Sequence, residues 1–171
     1  MMRNAEELRN AIHQASVRLQ AALLATTHQL VLAESCTGGL VAASLTQLSG
    51  ISDVFCGSLV TYQTPIKTQW LDIPAEEIEK YNVVSQEVAD AMSLSSLQKT
   101  PVATLAASIT GHLGPSEDPR EGNAFIAIAS QEEVVARLHH RFATYEADQR
   151  VCRQLEGTHQ VISLLLRHLS V

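Results

Sequence analysis

Residues 30–40 read L-V-L-A-E-S-C-T-G-G-L and predict the change from a buried strand to a helix on which the fold depends. The apolar run ends on Ser35 and Cys36, and the chain then turns through Gly38 and Gly39 into a helical pattern. First-turn N–H groups of a helix lack intrahelical partners and carry partial positive charge, so an oxyanion or a phosphate can be held beside the Ser35 hydroxyl. A turn that only reverses the chain has the same pattern, so this stretch alone leaves both interpretations open.

A second β-rich run, F-C-G-S-L-V-T-Y-Q-T-P-I-K at residues 55–67, supplies two more polar groups. Tyr62 ends the predicted strand, and Lys67 lies in the first turn of a helix that Pro65 opens. A serine hydroxyl attacks an amide when a neighbouring base removes its proton. A lysine can be that base only when it is neutral, which requires its pKa to fall from about 10.4 to about 7 or 8.

Ser35, Lys67 and Tyr62 are therefore candidates for a nucleophile, its base and an assisting hydroxyl. The N–H groups of residues 36–38 are candidates for the hole that stabilises an oxyanion. The plain alternative is that Tyr62 is a packed aromatic residue and that the Lys67 amine is solvated. Cys36 is a rival nucleophile, but no histidine is evident as its partner, and buried packing is its default role.

The motifs resemble those of the C-terminal amidohydrolase domain of the CinA (competence/damage-inducible) family. The family motifs E-S-C-T-G-G and Y-x-x-x-x-K correspond here to residues 34–39 and 62–67. Further matches follow in chain order: V-S-Q-E-V-A at 84–89, T-G-x-x-G-P at 110–115, and Arg150 with Arg153 on the last predicted helix. The resemblance covers the chain from about Leu30 to Arg153, and the ordered series is more specific than any single motif.

This resemblance implies a nicotinamide-nucleotide amidase, which hydrolyses the carboxamide of nicotinamide mononucleotide to nicotinate mononucleotide and ammonia through an acyl-enzyme on serine. It implies Ser35 as nucleophile, Lys67 as base and Tyr62 as assistant, and Arg150 as a candidate for the substrate phosphate, since a guanidinium binds planar anions in a bidentate manner. Relatives of the domain form homodimers, and we expect neither a metal nor another cofactor. The substrate-binding candidates are Cys36, Thr37, Gly38, Gly39, Thr110, Gly111 and Arg150.

The chain also departs from the family pattern. Residues 64–65 are Thr-Pro where the family usually has an Asn two residues after the tyrosine, and residues 110–118 read T-G-H-L-G-P-S-E-D where the family has T-G-I-A-G-P-x-G-G. Glu117 and Asp118 would repel a phosphate if they pointed inward. The alternative hypothesis is therefore a catalytically weak or inactive paralogue that binds a nucleotide-like ligand or a protein partner.

Length and charge limit the other classes of function. The 171 residues suit a single domain, 1–171, and 12 Lys and Arg against 18 Asp and Glu give a net charge of −6, which disfavours nucleic-acid and membrane-surface binding. No apolar segment is as long as a membrane span, and the polar N-terminus lacks the apolar stretch of a signal peptide, so we expect a cytoplasmic protein. Three cysteines without a C-x-x-C pair predict free thiols.

Hydrophobic periodicity predicts an α/β fold, a three-layer α/β/α sandwich whose mixed sheet is covered by helices on both faces. We expect Trp70 in the core, and we expect His139 and His140 on opposite faces of a strand, where they cannot bind one metal ion together. The predicted helices are 4–26, 40–48, 66–71, a short turn after Pro74, 86–98 with Ser85 as N-cap, and 147–169; the predicted strands are 30–33, 55–62, 102–109, 123–129 and 134–142.

Overall fold

The structure is a computed structural model, and it describes residues 4–169. These residues form six α-helices and five strands, with a short 3-10 turn at Ile51–Asp53 between α2 and β2. The helices are α1 Ala5–Leu24, α2 Leu40–Thr46, α3 Thr64–Leu71, α4 Ala75–Tyr81, α5 Gln86–Gln98 and α6 Gln149–Leu169; the strands are β1 Leu30–Glu34, β2 Phe55–Val60, β3 Leu105–Gly111, β4 Asn123–Ser130 and β5 Glu133–Arg141.

The five strands form one mixed sheet in the order β2-β1-β3-β4-β5. The first three run parallel, and β4 and β5 then add antiparallel strands on the β3 side. Because β1 lies between β2 and β3, the carboxyl ends of all three parallel strands meet at one edge of the sheet. Open α/β sheets bind their ligands at this edge.

Alternate residues of β1 face opposite helical layers. Leu30 and Leu32 point into the larger core, which is formed with α1, α2 and α6. Val31 and Ala33 point to the other face, where α3, α4 and α5 cover the sheet. All five residues of β1 are buried, as expected for a central parallel strand. The predicted three-layer α/β/α sandwich with helices on both faces is therefore confirmed.

Local sequence signals place several helix starts where they were predicted. The Asn4 side chain accepts the Glu7 N–H and caps α1, and the Ser85 hydroxyl accepts the Val88 N–H and caps α5. Strand β3 begins three residues later than predicted, since Val102 lies in a turn and is exposed. Helix α6 begins after Asp148, whose φ of 50° is not helical. The polar start at residues 1–3, which argued against a signal peptide, lies outside the described residues.

The prediction that Trp70 lies in the core is wrong, because its side chain is 49% exposed. Lys67 and Leu71, four positions apart, form the buried face of α3, and Trp70 lies beside that face. The opposite orientation of the two histidines is confirmed: His139 stacks on Phe125, whereas His140 contacts α6. Among residues 4–169, each helix is too short or too polar to traverse a lipid bilayer.

Candidate active site

A cleft of about 240 Å³ opens at the edge of the sheet where the parallel strands end. Ser35 follows β1, Tyr62 follows β2, and Thr110 and Gly111 end β3. Arg150 reaches the same cleft from the first turn of α6. The lining residues are Ser35, Cys36, Tyr62, Thr64, Val83, Val84, Thr110, Gly111, His112, Leu113 and Arg150.

The buried Lys67 amine lies against the hydroxyl of Ser35, which lines this cleft. Lys67 Nζ is 2.9 Å from Ser35 Oγ and donates a hydrogen bond of 2.5 Å to the main-chain oxygen of Thr61. The lysine is fully buried, and within residues 4–169 no carboxylate lies within 4 Å of its amine. Burial without a counter-charge lowers the pKa of Lys67 from 10.5 to about 8. The amine is thereby close to the neutral form that a base requires.

Glu34 organises the glycine turn next to Ser35, a role that the sequence analysis missed. Its carboxylate is 1% exposed and lies beneath the first turn of α2. It accepts five hydrogen bonds of 2.8–3.1 Å, from the Thr37 and Ser58 hydroxyls and the N–H groups of Gly39, Val41 and Ala42. A charged residue at the end of an otherwise apolar strand, directly before a glycine turn, was the available signal. Such a carboxylate suits a helix N-terminus.

This arrangement corrects the expectation that the first-turn N–H groups of α2 are free to hold a substrate anion. Glu34 occupies three of them, and the Gly38 N–H donates to the Ser35 main-chain oxygen. Of the predicted oxyanion donors, the Thr37 N–H has no acceptor among the described residues, and the Cys36 N–H contacts only its own thiol. The turn itself needs glycine, because Gly38 and Gly39 have φ values of 63° and 96°.

Cys36 lines the cleft but is poorly suited to act as the nucleophile. Burial raises the pKa of its thiol to about 12, so the thiolate is scarce at neutral pH. The expectation that Cys36 is packed rather than reactive agrees with this environment. Thr37, Gly38 and Gly39, which were predicted to bind substrate, do not line the cleft and lie in the turn that follows Ser35 and Cys36. The Thr37 main-chain oxygen accepts a hydrogen bond from Gln154 of α6.

Tyr62 and Arg150 meet at the mouth of the cleft. Arg150 Nη2 donates a 2.7 Å hydrogen bond to the Tyr62 hydroxyl, and Nη1 donates one of 2.8 Å to the main-chain oxygen of Gly114. Tyr62 is 56% exposed, and the structure places its hydroxyl on Arg150. The hydroxyl that was predicted to assist the base thus holds the guanidinium of Arg150 at the cleft.

The end of β3 forms the wall of the cleft opposite Tyr62. The Thr110 hydroxyl donates to the Val83 main-chain oxygen and joins β3 to the segment before α5. A Cβ at Gly111 would lie 2.9 Å from the Ala124 Cβ, so only glycine allows β3 and β4 to approach this closely. Both residues line the cleft, as the sequence analysis expected of them.

The acidic part of the loop, residues 116–121, does not line the cleft. Asp118 is paired with Arg120, and hydrogen bonds from that arginine hold the pKa of the carboxyl well below its ordinary range. Glu117 is exposed on the same loop. Glu121 receives the Ser116 N–H and pairs with the buried Arg153, which also binds main-chain oxygens. The loop is therefore held by one internal ion pair and one ion pair to α6, and its acidic side chains lie outside the lining of the cleft.

Comparison with known proteins places this geometry in a family. Residues 12–168 match the family model of the CinA C-terminal domain. Two "CinA-like" proteins, from Prochlorococcus marinus (strain MIT 9301) and Geotalea daltonii, are 41% and 44% identical over 116 and 112 residues. These alignments cover 66% and 64% of this chain and 27% of each relative, so the matched part spans about a quarter of the length of these curated relatives.

Solved structures agree with the family match. A competence-damaged protein (CinA) superfamily protein from Klebsiella pneumoniae superposes with a TM-score of 0.85 at 25% identity, over 93% of this chain and 98% of that one. The competence/damage-inducible protein CihA from Agrobacterium tumefaciens gives a TM-score of 0.81 at 27% identity, over 94% and 96% of the two chains. From the matched residues and the shared fold, this chain belongs to the CinA C-terminal domain family.

Proposed function

We propose that this protein is an amidohydrolase that uses Ser35 and Lys67 to hydrolyse the carboxamide of nicotinamide mononucleotide to nicotinate mononucleotide and ammonia. The observation that carries the proposal is the distance of 2.9 Å between Lys67 Nζ and Ser35 Oγ, with the amine buried and its pKa at about 8. Hydrogen-bond contact and a pKa near neutrality are the two properties that a general base requires.

In the first half-reaction, the neutral Lys67 amine takes the proton of the Ser35 hydroxyl as the oxygen attacks the carboxamide carbon. The carbonyl oxygen becomes an oxyanion, for which the N–H groups of Cys36 and Thr37 are the candidate donors. The resulting lysine ammonium then protonates the leaving nitrogen. The C–N bond breaks, ammonia departs, and an ester on Ser35 remains.

In the second half-reaction, Lys67 takes a proton from water, and the oxygen of that water attacks the ester carbon. The C–O bond to Ser35 breaks, and the serine oxygen recovers a proton from the lysine. The products are a carboxylate and ammonia, so one amide and one water are consumed in each cycle. No carboxylate beside Lys67 within residues 4–169 would trap the amine as an ammonium ion.

The remote end of the substrate is assigned to Arg150. Its guanidinium lines the cleft and uses two of its N–H groups on Gly114 and Tyr62. A guanidinium has five N–H donors, so it can receive a phosphate while keeping one of these contacts. The acidic side chains of residues 117–118 do not oppose this assignment, because they lie outside the lining of the cleft.

The test is ammonia release from nicotinamide mononucleotide by the purified protein. Wild type is expected to turn over, and Ser35→Ala is expected to lose at least about a thousandfold in kcat because the nucleophile is removed. Ser49→Ala, at an exposed serine, is the matched control and should behave as wild type. Equal, background-level rates for wild type and Ser35→Ala would contradict the proposal.

The rate of hydrolysis is expected to depend on pH through Lys67. The base is active when neutral, so kcat should rise about tenfold per pH unit below about 8 and level off above it. The measurement is a series of kcat values between pH 5.5 and 9.5 at saturating substrate. A profile that is flat through this range, or that falls as the pH rises toward 8, would rule out Lys67 as the base.

One observation favours the alternative of an inactive paralogue that binds a nucleotide-like ligand. Thr64 lines the cleft at the position where the family usually has asparagine, so the site lacks an amide that both donates and accepts hydrogen bonds. Under this alternative, nicotinamide mononucleotide raises the melting temperature by mass action but releases no ammonia. The same assay, combined with a melting curve, separates the two functions.

A further inference from the structure

His112 is a cleft residue to which the proposed chemistry gives no role. It occupies the position where the family motif has isoleucine, so an imidazole replaces an aliphatic side chain in the wall of the cleft. It directly follows Gly111 at the end of β3. A polar ring at the wall of a binding cleft adds a directional hydrogen-bonding group that isoleucine lacks.

Hydrogen bonds define which nitrogen of the ring carries the proton. The Gly114 N–H is 3.3 Å from His112 Nδ1, and a main-chain N–H can only donate, so Nδ1 is the acceptor. The proton of the neutral ring is therefore on Nε2. The contact of Nε2 is with the Ser116 hydroxyl at 3.4 Å, which is long for a hydrogen bond. His112 thus has an N–H donor that a better acceptor can recruit.

Arg150 holds the same peptide segment from its other side. The Gly114 N–H donates to His112, and the Gly114 carbonyl accepts from Arg150 Nη1 at 2.8 Å. The imidazole and the guanidinium are therefore both fixed on one residue, and both line the cleft. Two donor groups on a shared, rigid support suit a ligand group that has several acceptor oxygens.

The carboxylates nearest to His112 are already engaged by cations. Asp118 is paired with Arg120, and Glu121 is paired with Arg153. Hydrogen bonds from the Ser116 N–H and from Arg153 lower the pKa of Glu121, which keeps it ionised in this pair. Their charges are thus compensated locally and do not cancel the attraction of an anion to the His112 and Arg150 donors.

We infer that His112 is a specificity-determining residue of this chain, which binds a phosphate monoester group of the ligand together with Arg150. The inference rests on the proposed function for the amide end of the ligand. The phosphate contact is separate from catalysis, since His112 is not bonded to Ser35 or Lys67 among the described contacts. Removing the imidazole should therefore change KM, with little change in kcat.

The experiment compares two amides that differ by one group, nicotinamide mononucleotide and nicotinamide riboside, which lacks the phosphate. His112→Ile, which restores the family residue, is expected to raise KM for the mononucleotide about tenfold, the usual effect of losing one hydrogen bond to a charged group. KM for the riboside should change less than about twofold. His112→Gln keeps an N–H donor and should recover most of the affinity, and His13→Ile, at an exposed position, is the matched control.

An equal rise in KM for both amides, or no rise for either, would overturn the inference. If wild type releases no ammonia from either compound, the proposed function fails, and titration calorimetry then measures the two dissociation constants directly. In that case a preference of wild type for the mononucleotide that His112→Ile loses would still support the role of His112. Equal affinities of wild type and His112→Ile for the mononucleotide would overturn it.

Discussion

A Lys67→Met variant is expected to lose amide hydrolysis by at least about a thousandfold and yet to be more stable than wild type at pH 7. Burial lowers the pKa of Lys67 from 10.5 to about 8. Since each pKa unit corresponds to about 1.4 kcal/mol, the buried ammonium costs up to about 3 kcal/mol of folding free energy. Methionine has a similar length and carries no charge, so it avoids this cost. The lost hydrogen bonds to Ser35 and Thr61 reduce the gain.

The pH dependence of this gain identifies its cause. Below pH 8 the amine is charged in both states, and the full penalty applies. Between pH 8 and 10.5 the folded protein has lost the proton that the unfolded chain still binds, so the penalty falls as the pH rises, and above 10.5 it is absent. Urea denaturation of both proteins at pH 7 and pH 10 measures the difference. Lys80→Met, at an exposed lysine, is the control and should leave the midpoint of urea unfolding nearly unchanged at both pH values.

A difference between Lys67→Met and wild type that is the same at both pH values would contradict this account. So would a variant that is less stable than wild type at pH 7, because the hydrogen bonds of the amine would then outweigh its desolvation. A more stable but inactive variant would show that the site needs Lys67 for catalysis although burial of its charge lowers stability.

Replacing Glu34 by alanine is expected to lower the free energy of unfolding by about 4 kcal/mol or more. The carboxylate accepts five hydrogen bonds, three of them from main-chain N–H groups of the α2 turn. Its removal leaves buried donors without partners, at about 1–3 kcal/mol for each group that water cannot reach. Because the same turn holds Ser35, hydrolysis should fall with stability.

Denaturant titration of Glu34→Ala and Glu34→Gln checks this expectation. Glutamine keeps the shape and one acceptor oxygen, so it should lose roughly half as much stability as alanine. Glu79→Ala, at an exposed position of α4, is the matched control with an expected change within about 0.5 kcal/mol. A Glu34→Ala protein as stable as wild type would mean that solvent or a rearranged turn satisfies these donors.

Strong local signals predicted the fold well. The predicted N-cap at Ser85 begins α5, and the helical spacing of apolar residues after Asn4 forms α1. The ends of elements were less accurate, as at Val102, because a turn among apolar residues leaves the hydrophobic pattern unchanged. Trp70 was misplaced because the buried residues of α3 are Lys67 and Leu71, and the neighbouring position 70 lies about 100° around the helix from Leu71, on the exposed side.

At the candidate site, the sequence predicted which residues could take part in the chemistry but not which of them are in contact. The residue types at Ser35 and Lys67 agree with a serine nucleophile and its base, and their resemblance to family motifs named them together. The partner of Tyr62 could not be read, since Arg150 lies 88 positions away and reaches it only through the packing of α6. The five hydrogen bonds of Glu34 could not be predicted either, because the residue type does not show whether a carboxylate is buried or solvated.

The amino-acid sequence by itself determined the order of strands and helices and the three-layer class, because these follow from periodicity and capping along one chain. The set of candidate residues came from motifs in the sequence and from their resemblance to those of a known family. Tertiary structure alone decided which of those residues meet. Ser35 follows β1 and Lys67 lies on the helix after β2, so the pairing of these two parallel strands brings their side chains to 2.9 Å, and burial lowers the lysine pKa to about 8. Distance and desolvation depend on how separate segments pack, and no local pattern of residues specifies either.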